Sequence, residues 1–349
     1  MSVTDPVLVV CAGDRFITDD VLAAAVRAEL PDARTVTVRS AWPDVPFGDV
    51  DGVREAAGDP AELAALVADA DVLVTHLAPV TASVIAAAGR LRLIGSVRGG
   101  PVNVDVDAAT ARGIPVAYLP GRNLEAAAEY TIGMMLAVTR HIGAGARQLA
   151  AGEWDGSWFR ADRIGPELQR ATVGLVGLGA IGHRVAELLQ GFGATVLGHD
   201  PFADAAGLHR AGIEAVGLDE LLGRSDIVSL HARLTPGTRR MMDAAAFGAM
   251  RPGSYFVNTA RGELVDTDAL REAVLSGHLA GVACDVFDPE PPAPDDPLLA
   301  ALEVVATPHL AGGSREVATG SAQRLARAVR GFLAGEGLPH CANPETLTR

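Results

Sequence analysis

The 349-residue chain contains no lysine, and all 29 of its basic residues are arginine. That removes the lysine of a P-loop phosphate clamp and the amine that Schiff-base chemistry requires. Its three cysteines, Cys11, Cys284 and Cys341, are scattered and odd in number. They offer no zinc spacing and suit reduced thiols, so neither a disulfide framework nor a metal site is expected. Aromatic residues make up only 4% of the chain, and the 49% hydrophobic fraction therefore builds its cores mainly from Ala, Val and Leu. No run of about 18 apolar residues occurs, so no membrane span is expected. The opening MSVTDPVLVV lacks a basic region before its short apolar run, so a signal peptide is not expected either and the cytoplasm is the expected compartment. Positive charge is in the minority: the net charge of −14 and pI near 5.0 argue against nucleic acid as the main partner. The length favours two domains.

What the chain does have is concentrated in residues 172–200, TVGLVGLGAIGHRVAELLQGFGATVLGHD. Val173, Leu175 and Val176 form an apolar strand; Gly177, Gly179 and Gly182 form a GxGxxG; Val185, Ala186, Leu188 and Leu189 give the following helix an apolar stripe. The first glycine permits a tight turn, the second lets a pyrophosphate approach the backbone, and the third allows close helix-strand packing. The helix start, with Ala180 and Ile181, presents amides and a positive dipole end to an anion. Asp200 closes the next strand, roughly 20 residues on, where an acid that binds ribose hydroxyls belongs. Its charge would repel a 2′-phosphate and no arginine follows before Arg210, so NAD is favoured over NADP.

Upstream, strands at 7–10, 35–38, 72–75, 91–94 and 114–117 alternate with helical spacing at 19–30, 60–69, 81–88 and 105–112. This is a parallel, doubly wound unit without a glycine fingerprint of its own. Ligands of open α/β sheets gather at strand carboxyl ends, so substrate contacts are expected from 75–79 and 96–103. After a Pro-Gly break at 120–121, helix formers continue through 123–150 and predict one long crossing helix. Its apolar residues exceed one buried stripe, which suggests a second packing partner and a homodimer contact. Trp154, Trp158 and Phe159 then lie on a glycine-flanked loop, readable as packing under that helix or as a lid.

Strands recur at 227–230, 254–258, 281–285 and 304–307, extending the glycine-rich unit to a full Rossmann sheet. The helix at 314–333 leaves that sheet and is expected to run back to the first one. The fold is therefore expected to be α/β, with two doubly wound parallel-sheet domains. A Rossmann NAD domain, 121–313, is inserted in a discontinuous flavodoxin-like substrate domain, 1–120 and 314–349. Two chain crossings would then act as a hinge, with the reaction in the cleft between.

The turns after the later strands read NTARG at 258–262, DVFDPEP at 285–291 and TPHLAGG at 307–313. With the glycine turn, these resemble the D-isomer-specific 2-hydroxyacid dehydrogenases, the family that includes D-3-phosphoglycerate dehydrogenase and glyoxylate/hydroxypyruvate reductases, and the resemblance covers nearly the whole chain. It implies that Arg261 holds the substrate carboxylate and carbonyl, that His309 is the acid/base and that Glu290 is its partner. It further implies that Asp285 binds the nicotinamide amide. His231, Leu234, Thr235 and Pro236 would line the nicotinamide side, with Arg233 where a proline is common, and Thr259, Ala260 and His309 would approach the ring. His231 is also readable as a satisfied histidine at a strand end, and Asp285 as a turn cap.

The chemistry asks for these residue types independently. A 2-oxo acid needs a permanent cation to hold its carboxylate and polarise its carbonyl, as the Arg261 guanidinium would. The carbonyl oxygen needs a proton from a group titrating near neutrality, as His309 would, and a carboxylate such as Glu290 would fix its tautomer and raise its pKa.

On the substrate side the chain departs from the phosphoglycerate pattern. Thr75 and His76 stand where that pattern has an Arg-Ser pair, and VRGGPVNVD at 97–105 replaces GxGxDNxD. His76, Arg98, Gly99 and Gly100 are the candidate substrate contacts. The glycines would offer amides to a carboxylate, and Arg98 a second anion contact, a contact to a distal hydroxyl, or only a surface ion pair. The substitutions weaken 3-phosphoglycerate as substrate, and without the longer enzymes' C-terminal extension serine feedback is not expected. The leading expectation is an NAD-dependent oxidoreductase interconverting a D-2-hydroxy acid and its 2-oxo acid, with a polar or sugar-acid-like tail. The alternatives are an NAD(H)-sensing scaffold resembling the family's corepressors and, further off, a formate-type dehydrogenase.

Overall fold

The computed structural model describes residues 6–42 and 48–348; the first five residues of the N-terminal run and Arg349 lie outside the described residues. Two compact units emerge, one made of Met1–Asn123 with Gly313–Arg349, the other of Leu124–Gly312.

The first unit holds β1 (Leu8–Gly13), β2 (Arg34–Arg39), a small antiparallel hairpin of β3 (Gly48–Val50) and β4 (Val53–Ala56), then β5 (Val72–Thr75), β6 (Leu93–Ser96) and β7 (Val116–Ala117). Its parallel sheet has the order β2-β1-β5-β6-β7, the flavodoxin-like order once the hairpin is set aside. The central strands β5 and β6 are buried throughout and carry Val, Leu and Ile, as expected of a sheet covered on both faces. Its helices start at Thr18, Asp59, Thr81 and Asp105, whose side chains each accept a first-turn amide. The helix Arg315–Leu333 belongs to this unit and packs on the helix Asp19–Glu29 and on β6. Gly95 makes that approach possible, since a Cβ there would lie 2.9 Å from a Leu325 methyl. Beyond it, buried Asn343 accepts from the Val116 amide and donates to the Ile114 carbonyl, tying the C-terminal segment to β7.

The second unit holds β8 (Thr172–Val176), β9 (Thr195–His199), β10 (Glu214–Ala215), β11 (Ile227–Leu230), β12 (Ser254–Asn258), β13 (Leu279–Cys284) and β14 (Val304–Ala306). All pair in parallel in the order β10-β9-β8-β11-β12-β13-β14, the Rossmann order with one further strand. Core clusters lie on both faces of this sheet.

The single helix expected over 123–150 is two. Leu124–Thr139 ends, and Ile142–Ala150 begins after His141, whose backbone is left-handed at φ 54°. The His141 ring holds this break, with Nε2 at 2.6 Å from the Arg163 carbonyl oxygen and its face 4.6 Å from the Trp158 ring. The second packing partner inferred for Leu124–Thr139 is internal: the helix packs on the helix Ala180–Phe192 as well as on β12, β13 and β14. Trp158 packs as one reading of its loop expected, donating its indole N–H to Gln148 and lying under the Arg163 guanidinium. Trp154 and Phe159 do not pack and are 87% and 91% exposed. Among the described residues no helix is long and apolar enough to cross a membrane, and no cluster of His, Cys, Asp or Glu could hold a metal ion.

Leu325 is 1% exposed in the contact that returns the C-terminal helix to the first sheet. Leu325→Ala is expected to destabilise by about 2–5 kcal/mol, measured as a lower denaturant midpoint for the transition that reports on the first unit.

Candidate active site

In the second unit the strand order reverses between β8 and β11, so their carboxyl ends frame a crevice where ligands bind in such sheets. The glycine turn fills one side of it. Gly177 has φ +94°, and a Cβ there would lie 2.5 Å from the Ala232 amide nitrogen; at Gly182 it would lie 2.2 Å from the Gly177 carbonyl oxygen. Both must be glycine for the turn to close against the segment after β11. Gly179 differs, because a Cβ there would meet nothing within 4 Å. It is exposed and starts the helix Ala180–Phe192 without a side-chain cap, so that helix presents its first turn, with Ala180 and Ile181, to an external anion.

Asp200, at the end of β9, turns toward the same loop. Its Oδ2 accepts from the Leu178 amide at 2.8 Å and its Oδ1 from the Phe202 amide at 2.9 Å. Each oxygen keeps acceptor capacity, enough for two ribose hydroxyls. An open glycine at an uncapped helix start, with an oriented acid at the next strand end, fits a dinucleotide. His231, after β11, lies 3.0 Å from the Ser229 hydroxyl through Nε2, and burial pushes its pKa down to about 4, so the ring is neutral. Leu234 packs partly on the core, while Thr235 and Pro236 lie on an exposed turn in which the Thr238 hydroxyl accepts from the Thr235 amide.

The three later turns form one connected structure. At the end of β12, buried Asn258 donates to the Arg261 carbonyl at 2.9 Å and accepts from the Ala260 amide at 3.0 Å. The Thr259 hydroxyl meets that of Thr131 at 2.7 Å. Gly262 follows because a Cβ there would sit 1.9 Å from the Phe287 carbonyl oxygen. Arg261 is thereby left exposed on an extended backbone, its Nη1 donating to the Ala260 carbonyl at 2.7 Å. Its Nε and Nη2 have no partner among the described residues.

His309 has a left-handed backbone at φ 55°. Its amide donates to the carbonyls of Asp285 at 2.8 Å and Thr307 at 3.1 Å. The Asp285 side chain is fully buried and gathers the rest of that loop: Oδ1 accepts from the Thr307 hydroxyl and the Leu310 amide, Oδ2 from the Ala311 amide. Its observed partners are therefore loop groups, the arrangement the capping alternative anticipated. The His309 ring projects outward with Nδ1 2.7 Å from Glu290 Oε1, while Glu290 Oε2 accepts from the Phe287 amide at 3.3 Å. The hydrogen bond to Glu290 raises the His309 pKa, opposed by burial and by Arg261. Burial pushes the Glu290 carboxyl up, but the His309 hydrogen bond and charge, the Phe287 amide and Arg261 together bring it below its usual range.

The first unit has its own reversal, between β1 and β5. His76, directly after β5, is 4% exposed, with Nδ1 2.6 Å from Asp14 Oδ2 just beyond β1. Arg98, after β6, pairs with Glu55 through Nη2 and is the better sheltered partner. Gly99 and Gly100 follow in the same loop, and a Cβ at Gly100 would meet nothing within 4 Å. Buried Asn103 holds this loop, accepting from the Ser96 hydroxyl and donating to the Ala78 carbonyl. Sequence reasoning passed over Asp14, Arg122, Asn103 and Asn258. Asn258 lies inside NTARG and Asn103 inside VRGGPVNVD, whereas the pairing of Asp14 with His76 spans 62 positions and has no local signal.

Residues 132–311 match the family model of the D-isomer specific 2-hydroxyacid dehydrogenase, NAD binding domain. The chain belongs to that family. Its second unit is accordingly an NAD domain, as the fit of the glycine turn and Asp200 requires. The chain is 41% identical over 299 residues to D-3-phosphoglycerate dehydrogenase of Mycobacterium tuberculosis, covering 85% of this chain and 56% of that one. It is 37% identical over 282 residues to glyoxylate reductase of Korarchaeum cryptofilum, covering 80% and 85%. Among solved structures, the TT0316 protein of Thermus thermophilus superposes with a TM-score of 0.78 at 33% identity, covering 96% and 99%. The chain thus spans about half the length of the phosphoglycerate dehydrogenases it matches.

The two backbone hydrogen bonds that orient Asp200 make cofactor choice testable. Asp200→Ala is expected to weaken NADH binding roughly 10- to 100-fold, the value of a charged hydrogen-bonding group, and to narrow the gap to NADPH. Fluorescence titration with both nucleotides measures this, and an unaltered protein that already prefers NADPH would contradict the role given to Asp200.

Proposed function

We propose that the protein is an NAD-dependent D-2-hydroxyacid dehydrogenase, interconverting a D-2-hydroxy acid and its 2-oxo acid. The observation that carries this reading is the His309–Glu290 pair, held on one rigid set of turns with the exposed Arg261. The cofactor would be held by Gly177, Gly179, Ala180, Ile181, Gly182 and Asp200, with His231, Leu234, Thr235, Pro236, Thr259, Ala260, Asp285 and His309 toward its nicotinamide. Bound NADH supplies the hydride for the carbonyl carbon.

The chain's own residues do the rest. Arg261, permanently charged, holds the substrate carboxylate and polarises the carbonyl. With Nδ1–H donated to Glu290, His309 has Nε2 as its outward atom; protonated there, it delivers a proton to the carbonyl oxygen, and Glu290 stabilises the imidazolium beforehand. The pair is built for acid catalysis in the reducing direction, because its geometry favours the protonated ring. His76, Arg98, Gly99 and Gly100 are the first unit's proposed substrate contacts.

Turnover is tested by NADH oxidation against glyoxylate, hydroxypyruvate, 2-oxoglutarate, 3-phosphohydroxypyruvate and sugar-derived 2-oxo acids; tight NADH binding with no turnover of any would favour a dinucleotide-sensing scaffold. The raised His309 pKa gives the sign of the pH profile. Reduction needs the protonated ring, so kcat/KM is full below that pKa and falls as pH rises through it, while oxidation shows the opposite limb. Glu290→Gln removes the group that raises the pKa and is expected to move the falling limb of reduction to lower pH, with kcat down roughly 10²–10⁴-fold. An unmoved limb would remove Glu290 from the mechanism.

The proposed partner is a second copy of the chain, in contact through 123–150 and the loop that follows. The long first helix is covered within its own unit, but Ile142, Leu149, Trp154, Phe159 and Ile164 leave large apolar side chains exposed over a short span. Sedimentation equilibrium is expected to give twice the 35.9 kDa chain mass, and Ile142→Asp with Leu149→Asp to shift it to the monomer.

A further inference from the structure

The carboxyl edge of the first sheet carries a polar cluster, two members of which, Asp14 and Arg122, have no part in the proposed reaction. Asp14 follows β1, His76 follows β5, Arg98 follows β6 and Arg122 lies beyond β7, so four strands deliver charged or titratable groups to the edge where the strand order reverses. Asp14 is fully buried and satisfied: Oδ1 accepts from the amides of Phe16 and Ile17, and Oδ2 faces His76 Nδ1 at 2.6 Å. Burial lowers the His76 pKa, with the charges of Arg122 and Arg98 acting in the same direction, so the ring is neutral although Asp14 pulls the other way. With Nδ1–H donated to Asp14, Nε2 is an acceptor, and Arg122 Nη2 lies 3.4 Å from it. Asp14 and His76 thus form a buried post that holds one side of the Arg122 guanidinium. The other side is different: Arg122 Nη1 is shut off from water and has no hydrogen-bond partner among the described residues. Burial, with Arg98 nearby, pushes the Arg122 pKa down to about 10, which still leaves it charged at neutral pH.

A buried charged donor without an acceptor is unstable unless something supplies one. The carboxylate whose charge reaches it, Asp14, is engaged by the neutral His76 imidazole, and the other cation, Arg98, already has Glu55. The missing group is therefore an acceptor with negative charge. We infer that Arg122, positioned by His76 and Asp14 and supported by Arg98, forms a subsite for a second oxyanion of the substrate, making the preferred substrate a 2-oxo acid with a carboxylate or phosphate in addition to its own carboxylate. This rests on the dehydrogenase reading for the 2-oxo acid, while the oxyanion subsite stands on the first unit's geometry alone. Arg122 is the residue that binds this second oxyanion, and toward that group His76 and Asp14 act as positioning residues, through Arg122.

The test compares matched pairs in NADH oxidation: 2-oxoglutarate against 2-oxovalerate for a carboxylate, and 3-phosphohydroxypyruvate against hydroxypyruvate for a phosphate. In at least one pair the dianion is expected to lead by roughly 100-fold in kcat/KM, the scale of one buried charge-assisted contact, and the pair that shows it identifies the oxyanion. Arg122→Gln is expected to bring that ratio toward 1, while Arg122→Lys keeps part of it. A ratio near 1 in the unaltered protein, or an equal fall for both members of a pair, overturns the subsite. If Arg122→Gln lowers the melting temperature, Arg98→Gln reads the same ratio, with a fall of roughly 10-fold expected. Calorimetry with NAD present, where reduction cannot proceed, separates the two readings. Arg122-dependent binding of 2-oxoglutarate or 3-phosphohydroxypyruvate without turnover of any 2-oxo acid keeps the subsite and removes the dehydrogenase. Turnover of both members of each pair without discrimination does the reverse.

Discussion

One buried carboxylate governs the shape of the candidate active site. Asp285 has no exposed surface, and its two oxygens take the Thr307 hydroxyl and the amides of Leu310 and Ala311, while its carbonyl takes the amide of His309. Burying a charged group without partners would cost several kcal/mol, so the loop has one arrangement that meets this demand and few others. In that arrangement His309 is forced to a left-handed backbone and its ring is turned outward to Glu290. A non-glycine residue held in that region stores strain of order 1–3 kcal/mol. The proposed acid/base, His309, is thus positioned by an acid outside the His309–Glu290 pair, and the arrangement resists the rotation that would break that contact.

Both units apply the same sheet rule to different ends. Where strand order reverses, two neighbouring loops diverge and leave a crevice. In the second unit that crevice is lined by backbone, because Gly177 and Gly182 admit no side chain and Gly179 faces open space. In the first unit it is lined by side chains, Asp14 against His76. The contrast fits the ligand proposed for each unit. An extended pyrophosphate suits the row of amides at a helix start, whereas the oxyanion proposed for the first unit would meet a side-chain charge.

The sheet orders, the discontinuous first unit and the glycine turn were legible because each rests on local periodicity or on fixed spacing within one turn. The return of the 314–333 helix was legible as excess length, although its anchor, Gly95 under Leu325, was not. The break at His141 was missed because Ala-rich sequence favours helix on both sides, and what ends it is a ring contact with Trp158 and a bond to the Arg163 carbonyl, 22 residues away. The apolar excess of the crossing helix was visible, and the helix Ala180–Phe192 takes up part of it within the unit. His309, Glu290 and Arg261 stood out through three ordered motifs. Asp14 and Arg122 did not, since the structure joins them through His76 across 62 and 46 positions.

The absence of lysine has a consequence at these two centres. Arg122 sits where burial pushes its pKa down to about 10. A lysine begins roughly two or more units below arginine and loses charge readily on burial, so in the same surroundings it would hold its charge less securely and keep only part of the grip proposed for Arg122. In the proposed reaction, the permanent charge of an arginine at position 261 would keep the carbonyl polarised while His309 gives up its proton. Proton traffic in that reading would be confined to the imidazole, whose pKa the hydrogen bond to Glu290 raises.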